Sequence, residues 1–160
     1  MTLLSPASPR GAALLSLAAL ALAACGGGDD PELAARRTTA RRASCVAVEL
    51  AVRANTNLSA LDTLRAGPAP GLVETLYPYQ KAYFDYAKLR ERQTAWSDSA
   101  AATTSEADSA RYAGEIARST PPAPAPGSTQ ANAAATYERD FTAAMTNPDH
   151  PCNRPRDEER

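Results

Sequence analysis

The chain has 160 residues, 17 basic and 18 acidic, for a formal net charge of −1. Such balance gives no electrostatic reason to propose nucleic acid as a partner. Leu, Ile, Val and Phe make up about 11% of the chain beyond residue 24, below the ~20% at which strongly charged chains lean toward disorder. Low net charge, six Tyr and many Ala soften that reading, so a small, thinly cored and marginally stable domain is expected.

The chain opens on one positive charge, Arg10, followed by an apolar segment over residues 11–24 that ends in Ala23 and Ala24. A bilayer-spanning helix needs about 20 apolar residues, so the segment is too short to cross. Its order of charge, apolar run and small residues is that of an export signal. Leu22-Ala23-Ala24-Cys25 resembles the lipobox of bacterial lipoproteins, and the Gly26–Gly28 run after it suits a flexible tether. The resemblance covers residues 1–28 only. It implies removal of residues 1–24, acylation of Cys25 and anchoring in the cell envelope, since two or three acyl chains hold a protein firmly where one does not. By the same resemblance, Gly26 in place of Asp favours the outer membrane, facing the periplasm.

Residues 25–42 read as a lipidated tether with four arginines at 36, 37, 41 and 42. A short helix can start after Asp30 with Pro31 in its first position. The arginines are a solvated charge run, or lie against anionic headgroups. Residues 43–152 are expected to form the folded domain. Val46, Val48, Leu50 and Val52 alternate as in a strand, but the interleaved Ala47, Glu49 and Ala51 and the want of a pairing strand favour a helix. Leu58, Leu61 and Leu64 continue at helical spacing after an expected break near Asn55 to Asn57.

A second helix is expected from near Gly71 to residue 97. Leu72, Leu76, Tyr79, Tyr83 and Tyr86 form its seam, widened by Val73, Tyr77, Phe84 and Ala87. Pro78 inside this pattern predicts a kink or a second start. Ser105 and Asp108 form a candidate capping box for a third helix over 105–118, with Ala110, Ala113, Ile116 and Ala117 as its apolar stripe. "STPPAPAPGST" reads as an extended linker. The last helix starts near Ser128 and buries Ala134, Tyr137, Phe141 and Met145, and residues 153–160 read as a disordered tail. The fold class is therefore all-α, a small bundle of about four helices.

With Cys25 committed to lipid, Cys45 and Cys152 remain, and an oxidising compartment favours their pairing as a disulfide. Free or metal-bound thiols are the competing reading. The pairing also bears on topology: ends of the first and last helices meet only if an antiparallel bundle has an even helix count, which requires a break between Trp96 and Ser105.

Catalytic signals are sparse. There is no phosphate loop, no Gly-x-Ser-x-Gly elbow and no Ser-x-x-Lys. His150 is the single histidine, so His-pair zinc motifs are excluded and any triad has one candidate base. Asp149, His150 and Cys152 are a weak metal-site candidate, and neither a resident metal nor a cofactor is expected. Glu74 and Asp85 flank the aromatic stretch as a formal acid–base pair, although solvated helix faces carry such residues routinely.

The stretch with functional promise is "LYPYQKAYFDY", residues 76–86. Its Tyr77, Tyr79, Tyr83, Phe84 and Tyr86 either fill the core or form an interface for a protein or a sugar. These readings point to a non-enzymatic accessory or scaffold protein that binds an envelope protein or a cell-wall glycan. The alternative is a small-ligand carrier, or a hydrolase using His150 with a carboxylate.

Overall fold

The computed structural model describes residues 30–65, 67 and 70–154. The signal segment 1–24, the acylation candidate Cys25, the Leu72 side chain and the tail beyond Arg154 lie outside the described residues. The fold is all-α. Its elements are α1 (Pro31–Arg65), α2 (Pro70–Ala102), α3 (Glu106–Ser119), α4 (Thr129–Thr146) and a closing 3-10 turn (Pro151–Asn153).

α1 starts where Asp30 accepts a hydrogen bond from Glu32 N through its side chain at 3.0 Å, with Pro31 in the first position, where a missing N–H costs nothing. It then runs 35 residues without interruption: the short helix expected after Asp30 extends through residues 31–42 of the expected tether, and the expected break at Asn55 to Asn57 does not occur. The cause is one continuous seam. Leu33, Arg37, Ala40, Ser44, Ala47, Ala51, Ala54, Leu58 and Leu61, spaced alternately by four and three, are all buried or half-buried. On α2 the same spacing holds for Val73, Tyr77, Gln80, Phe84, Ala87, Glu91, Thr94, Asp98 and Ala101. This is the heptad pattern of two helices packed side by side, and α1 and α2 form a long antiparallel hairpin.

Within the seam, Ala47, Ala51, Ala54 and Ala87 are at most 2% exposed. Small side chains let helix backbones approach closely, which is how a chain poor in large aliphatics still closes a core. Arg37 Nε donates to Ala101 O at 3.1 Å, so an arginine of the expected tether holds a carbonyl in the last turn of α2, where backbone acceptors lack helical partners.

The strand-like alternation resolves into two helical pairs. Val46 and Leu50, four apart, are buried, whereas Val48 and Val52 are 44% and 60% exposed. α2 begins at Pro70 and runs past residue 97 to Ala102 as one element, with Pro78 on its exposed side. Its buried line is Val73, Ala87 and Thr94, while Leu76, expected in the seam, is 42% exposed.

The break before α3 is real. Ser105 accepts from Asp108 N at 3.2 Å, but its own N–H donates to Thr103 Oγ1, so only half of the expected capping box forms. α3 buries no residue. Of its expected stripe, Ala110, Ala113 and Ala117 are exposed and Ile116 alone is half-buried. What ties its end to α2 is polar: Gln93 Nε2 donates to Ser119 Oγ and Thr120 Oγ1, both at 3.2 Å.

Residues 120–127 run extended to Gly127, whose φ of 76° places it in the left-handed region that suits glycine. Ser128 then caps α4 by accepting from Ala131 N at 3.1 Å. Tyr137 is fully buried, and Phe141, Ala144, Met145 and Cys152 pack on the cluster of Val46, Leu50, Ala51, Ala54 and Ala87. At the far end the Asn153 amide donates to the carbonyls of Ala144, Met145 and Asn147, satisfying acceptors that the helix end leaves open.

The described residues form four α-helices, but these do not stand four abreast. α3 meets α2 near Gln93, whereas α4 meets it between Tyr79 and Arg90, so the two lie on successive stretches of the hairpin. Cys45 accordingly sits midway along α1 rather than at its start. The helices are not of equal reach: α1 extends about fourteen residues N-terminal to Cys45, beyond the closing turn after α4.

Candidate functional site

The aromatic stretch is taken up largely inside the molecule. Tyr79 Oη donates to Thr136 Oγ1 at 2.7 Å, Tyr83 Oη to Asp140 Oδ2 at 3.0 Å and Tyr86 Oη to Glu138 Oε1 at 2.8 Å. All three acceptors stand on α4, so one row of tyrosines latches one helix to another. Tyr137 lies among them, its ring 5.8 Å from Tyr83, 5.4 Å from Tyr86 and 6.1 Å from Phe141. Phe84 packs against the same core, and Tyr77 lies under the Arg65 guanidinium, 5.5 Å away. Tyr83, Phe84 and Tyr86 thus pack on the core, while Tyr79 bonds α4 and Tyr77 is half-buried beside the exposed Arg65.

Burial foremost, and then the carboxylate that each hydroxyl faces, hold Tyr83 and Tyr86 in the neutral form, Tyr86 pushed up to about 12 and Tyr83 further. Burial also raises Tyr137. In the unfolded chain these groups ionise near 10. The unfolded state therefore sheds protons first, so stability is full below about pH 10 and falls as pH rises beyond it. In an alkaline titration, tyrosinate absorbance from these side chains should rise together with the loss of helical circular dichroism, not before it.

Glu74 and Asp85 are not an acid–base pair. Eleven positions along one helix separate them by about 16 Å, and Asp85 is exposed and paired with Lys81 at 2.6 Å.

Two other places gather functional side chains. One is an open cleft of about 520 Å³ between α2, α4 and the extended segment. Pro78, Leu89, Pro121, Pro122, Pro124 and Ala134 give it apolar walls, and Lys81, Asp85, Arg92 and Gln130 line it with polar groups. Its volume falls in the range of small-ligand pockets, about 300–1,000 Å³. Sequence reasoning missed it because the proline segment was expected to be a free linker, and prolines at 121, 122 and 124 form a wall only once Ser119 and Ser128 are pinned.

The other place is where α1 meets the closing turn. Cys45 and Cys152 lie at disulfide distance, Cα atoms 5.7 Å apart. Beside them His150 Nε2 stands 3.2 Å from Glu49 Oε2, and His150 Nδ1 accepts from Cys152 N at 3.3 Å. Glu49 Oε1 also accepts from Arg53 at 3.0 Å. The predicted histidine thus does meet a carboxylate. Through these two contacts His150 ties the closing turn to α1, with Nδ1 accepting from the turn and Nε2 facing the Glu49 carboxylate. The acidic neighbour is Glu49, not Asp149, whose N–H closes a turn onto Asn147. Nothing local signals Glu49, because 101 positions separate it from His150.

Comparison with known proteins finds no matching family model, no matching curated protein and no matching solved structure.

Proposed function

We propose that this chain is a lipid-anchored protein of the bacterial cell envelope, held through acylated Cys25 and probing the periplasm from the outer membrane. In this reading it is a non-enzymatic accessory or scaffold that binds an envelope protein or a cell-wall glycan. The observation that carries the proposal is Leu22-Ala23-Ala24-Cys25 directly behind an apolar segment too short to span a bilayer. Cys45 and Cys152 at bonding distance suit an oxidising compartment. Among the described residues, no helix is long and apolar enough to cross a membrane.

The cleft is the proposed docking surface, because its proline, leucine and tyrosine groups are preordered and the polar groups beside them can fix an orientation. Its size also supports a small-ligand carrier as the second reading. A photo-reactive residue at Arg92 in the cleft, compared with one at Arg111 on α3, tests the choice in intact cells. A reproducible envelope protein or glycan joined at position 92 and absent at 111 is the expected result. An uncross-linked monomer at both positions contradicts the scaffold reading and leaves the small ligand.

A further inference from the structure

The corner formed by α1 and the closing turn holds more ligand chemistry than a structural disulfide needs. Glu49, His150 and Cys152 each offer a metal-binding atom, and these atoms all lie within 4.8 Å of one another. Cys45, one helical turn before Glu49 on α1, adds a second sulfur, because its side chain reaches that of Cys152. Two sulfurs, one imidazole and one carboxylate are a tetrahedral zinc set. While the sulfurs are bonded to each other they offer no thiolate, and only the thiolate is a metal ligand.

We propose that reduction of the Cys45–Cys152 bond unmasks a divalent metal site of the zinc class, with Cys45 Sγ, Cys152 Sγ, His150 Nε2 and Glu49 Oε2 as its ligands. Three of the four ligand atoms already stand together, and Cys45 joins them through its contact with Cys152. His150 Nε2 and Glu49 Oε2 are 3.2 Å apart, and the edge between nitrogen and oxygen ligands with bonds of about 2.0–2.1 Å is roughly 3.3 Å. The sulfurs must part to about 3.8 Å, the edge set by zinc–sulfur bonds of about 2.3 Å. A separation of 5.7 Å between the two Cα atoms allows this by side-chain rotation. Cys45 is exposed and Cys152 half-buried, so both a reductant and the ion have access.

The oxidised state opposes binding a second time. With Nδ1 accepting from Cys152 N, the neutral imidazole carries its proton on Nε2, the atom that faces Glu49. Ligation at Nε2 moves that proton to Nδ1 and opens the 3.3 Å bond to Cys152 N–H. The reduction that releases Cys152 from α1 also releases this turn.

The step balances. A dithiol or a phosphine with water supplies two electrons and two protons, the sulfur–sulfur bond breaks, and two thiols form. The reductant ends as a disulfide or a phosphine oxide. The metal then displaces one proton from each thiol to solvent, the imidazole shifts its proton from Nε2 to Nδ1 through solvent and binds through the freed Nε2 lone pair, and the carboxylate binds as it is.

The test uses the protein purified in detergent with Cys25 acylated, so that Cys45 and Cys152 supply the thiols, oxidised or reduced with a phosphine that carries no competing thiol, and titrated with Co²⁺ and Zn²⁺. The reduced chain should take up one Co²⁺ with the intense visible bands of tetrahedral cobalt and a thiolate charge-transfer band, and Zn²⁺ should displace it. The oxidised chain should show neither band. Even outer-shell partners of a metal are worth about 10–100-fold in affinity, so His150→Ala and Glu49→Ala should each weaken Co²⁺ binding by at least about tenfold. Reduction can also loosen the fold, so melting is followed alongside: Zn²⁺ should raise the melting temperature of the reduced chain, or restore its helix if lost, and leave the oxidised chain unmoved. A reduced chain that neither shows tetrahedral cobalt bands nor gains stability from Zn²⁺ overturns the proposal, as does equal binding by the His150→Ala chain.

Discussion

Replacing Cys45 and Cys152 together by serine is expected to cost about 3–4 kcal/mol of unfolding free energy, seen in urea as a lower midpoint and a steeper slope. The two positions are 107 residues apart. Closing a loop near 100 residues removes at most about 4.7 kcal/mol of chain entropy from the unfolded state. Native strain and residual structure in the unfolded chain take part of that back. The steeper slope follows because an unbridged unfolded chain exposes more surface to denaturant. The loss is large against the roughly 5–15 kcal/mol by which native domains are stable. It falls on a domain whose core is alanine-rich, with Val46, Leu50, Leu58, Val73 and Tyr137 as its larger buried side chains. A metal chelator belongs in every sample, so that zinc recovery by the reduced wild type is not mistaken for intrinsic stability. A double serine chain with the wild-type midpoint would show that the helical contacts alone hold α4 on the hairpin.

The second large effect separates a ring from its hydroxyl. Tyr137 is 0% exposed and is the largest fully buried side chain. Its ring meets Tyr83, Tyr86 and Phe141. Removing such a ring to alanine costs about 3–5 kcal/mol through lost burial and the cavity left behind. Among the described residues its buried hydroxyl has no hydrogen-bond partner, a state that costs about 1–3 kcal/mol. Tyr137→Ala should therefore come close to unfolding the domain, while Tyr137→Phe should stabilise it by about 1 kcal/mol. Thermal and urea unfolding of both chains check this. A Tyr137→Phe chain less stable than wild type by a similar amount would mean that the hydroxyl has a partner in solution and that the polar latch between α2 and α4 includes it.

Much of this architecture was legible because helices announce their ends locally. Ser105, Ser128 and Pro31 start helices as their chemistry dictates, and Thr103 to Ser105 interrupt the chain as residues that compete for backbone bonds do. The length of α1 was not legible. Its N-terminal third carries Arg36, Arg37, Arg41 and Arg42, and composition alone makes that a tether. Only the seam positions Leu33, Arg37, Ala40 and Ser44, matched to the far end of α2, make it helix. Small and polar seam residues carry almost no hydropathy contrast, so the four-and-three spacing was visible only where Leu or Val marked it.

The aromatic stretch shows the opposite limit. Spacing found the right side chains, but whether they face a partner or α4 depends on Thr136, Glu138 and Asp140, more than fifty positions away. The same holds for Glu49 beside His150 and for the proline wall of the cleft. Pairings over such distances leave no local trace in one sequence. Cysteine pairing is the exception, because once Cys25 is set aside only Cys45 and Cys152 remain to pair.

The central claim, that the domain works from a lipid anchor, rests on four residues, and one measurement tests it most directly. The intact mass and amino-terminal peptide of the protein purified from membranes of expressing bacterial cells should place Cys25 first, carrying a diacylglyceryl group and an amide-linked acyl chain, with residues 1–24 gone. A Cys25→Ser chain should then leave the membrane fraction. A mature protein that begins elsewhere, or that begins at an unmodified Cys25 and washes from membranes without detergent, would contradict the anchor and with it the envelope scaffold built upon it.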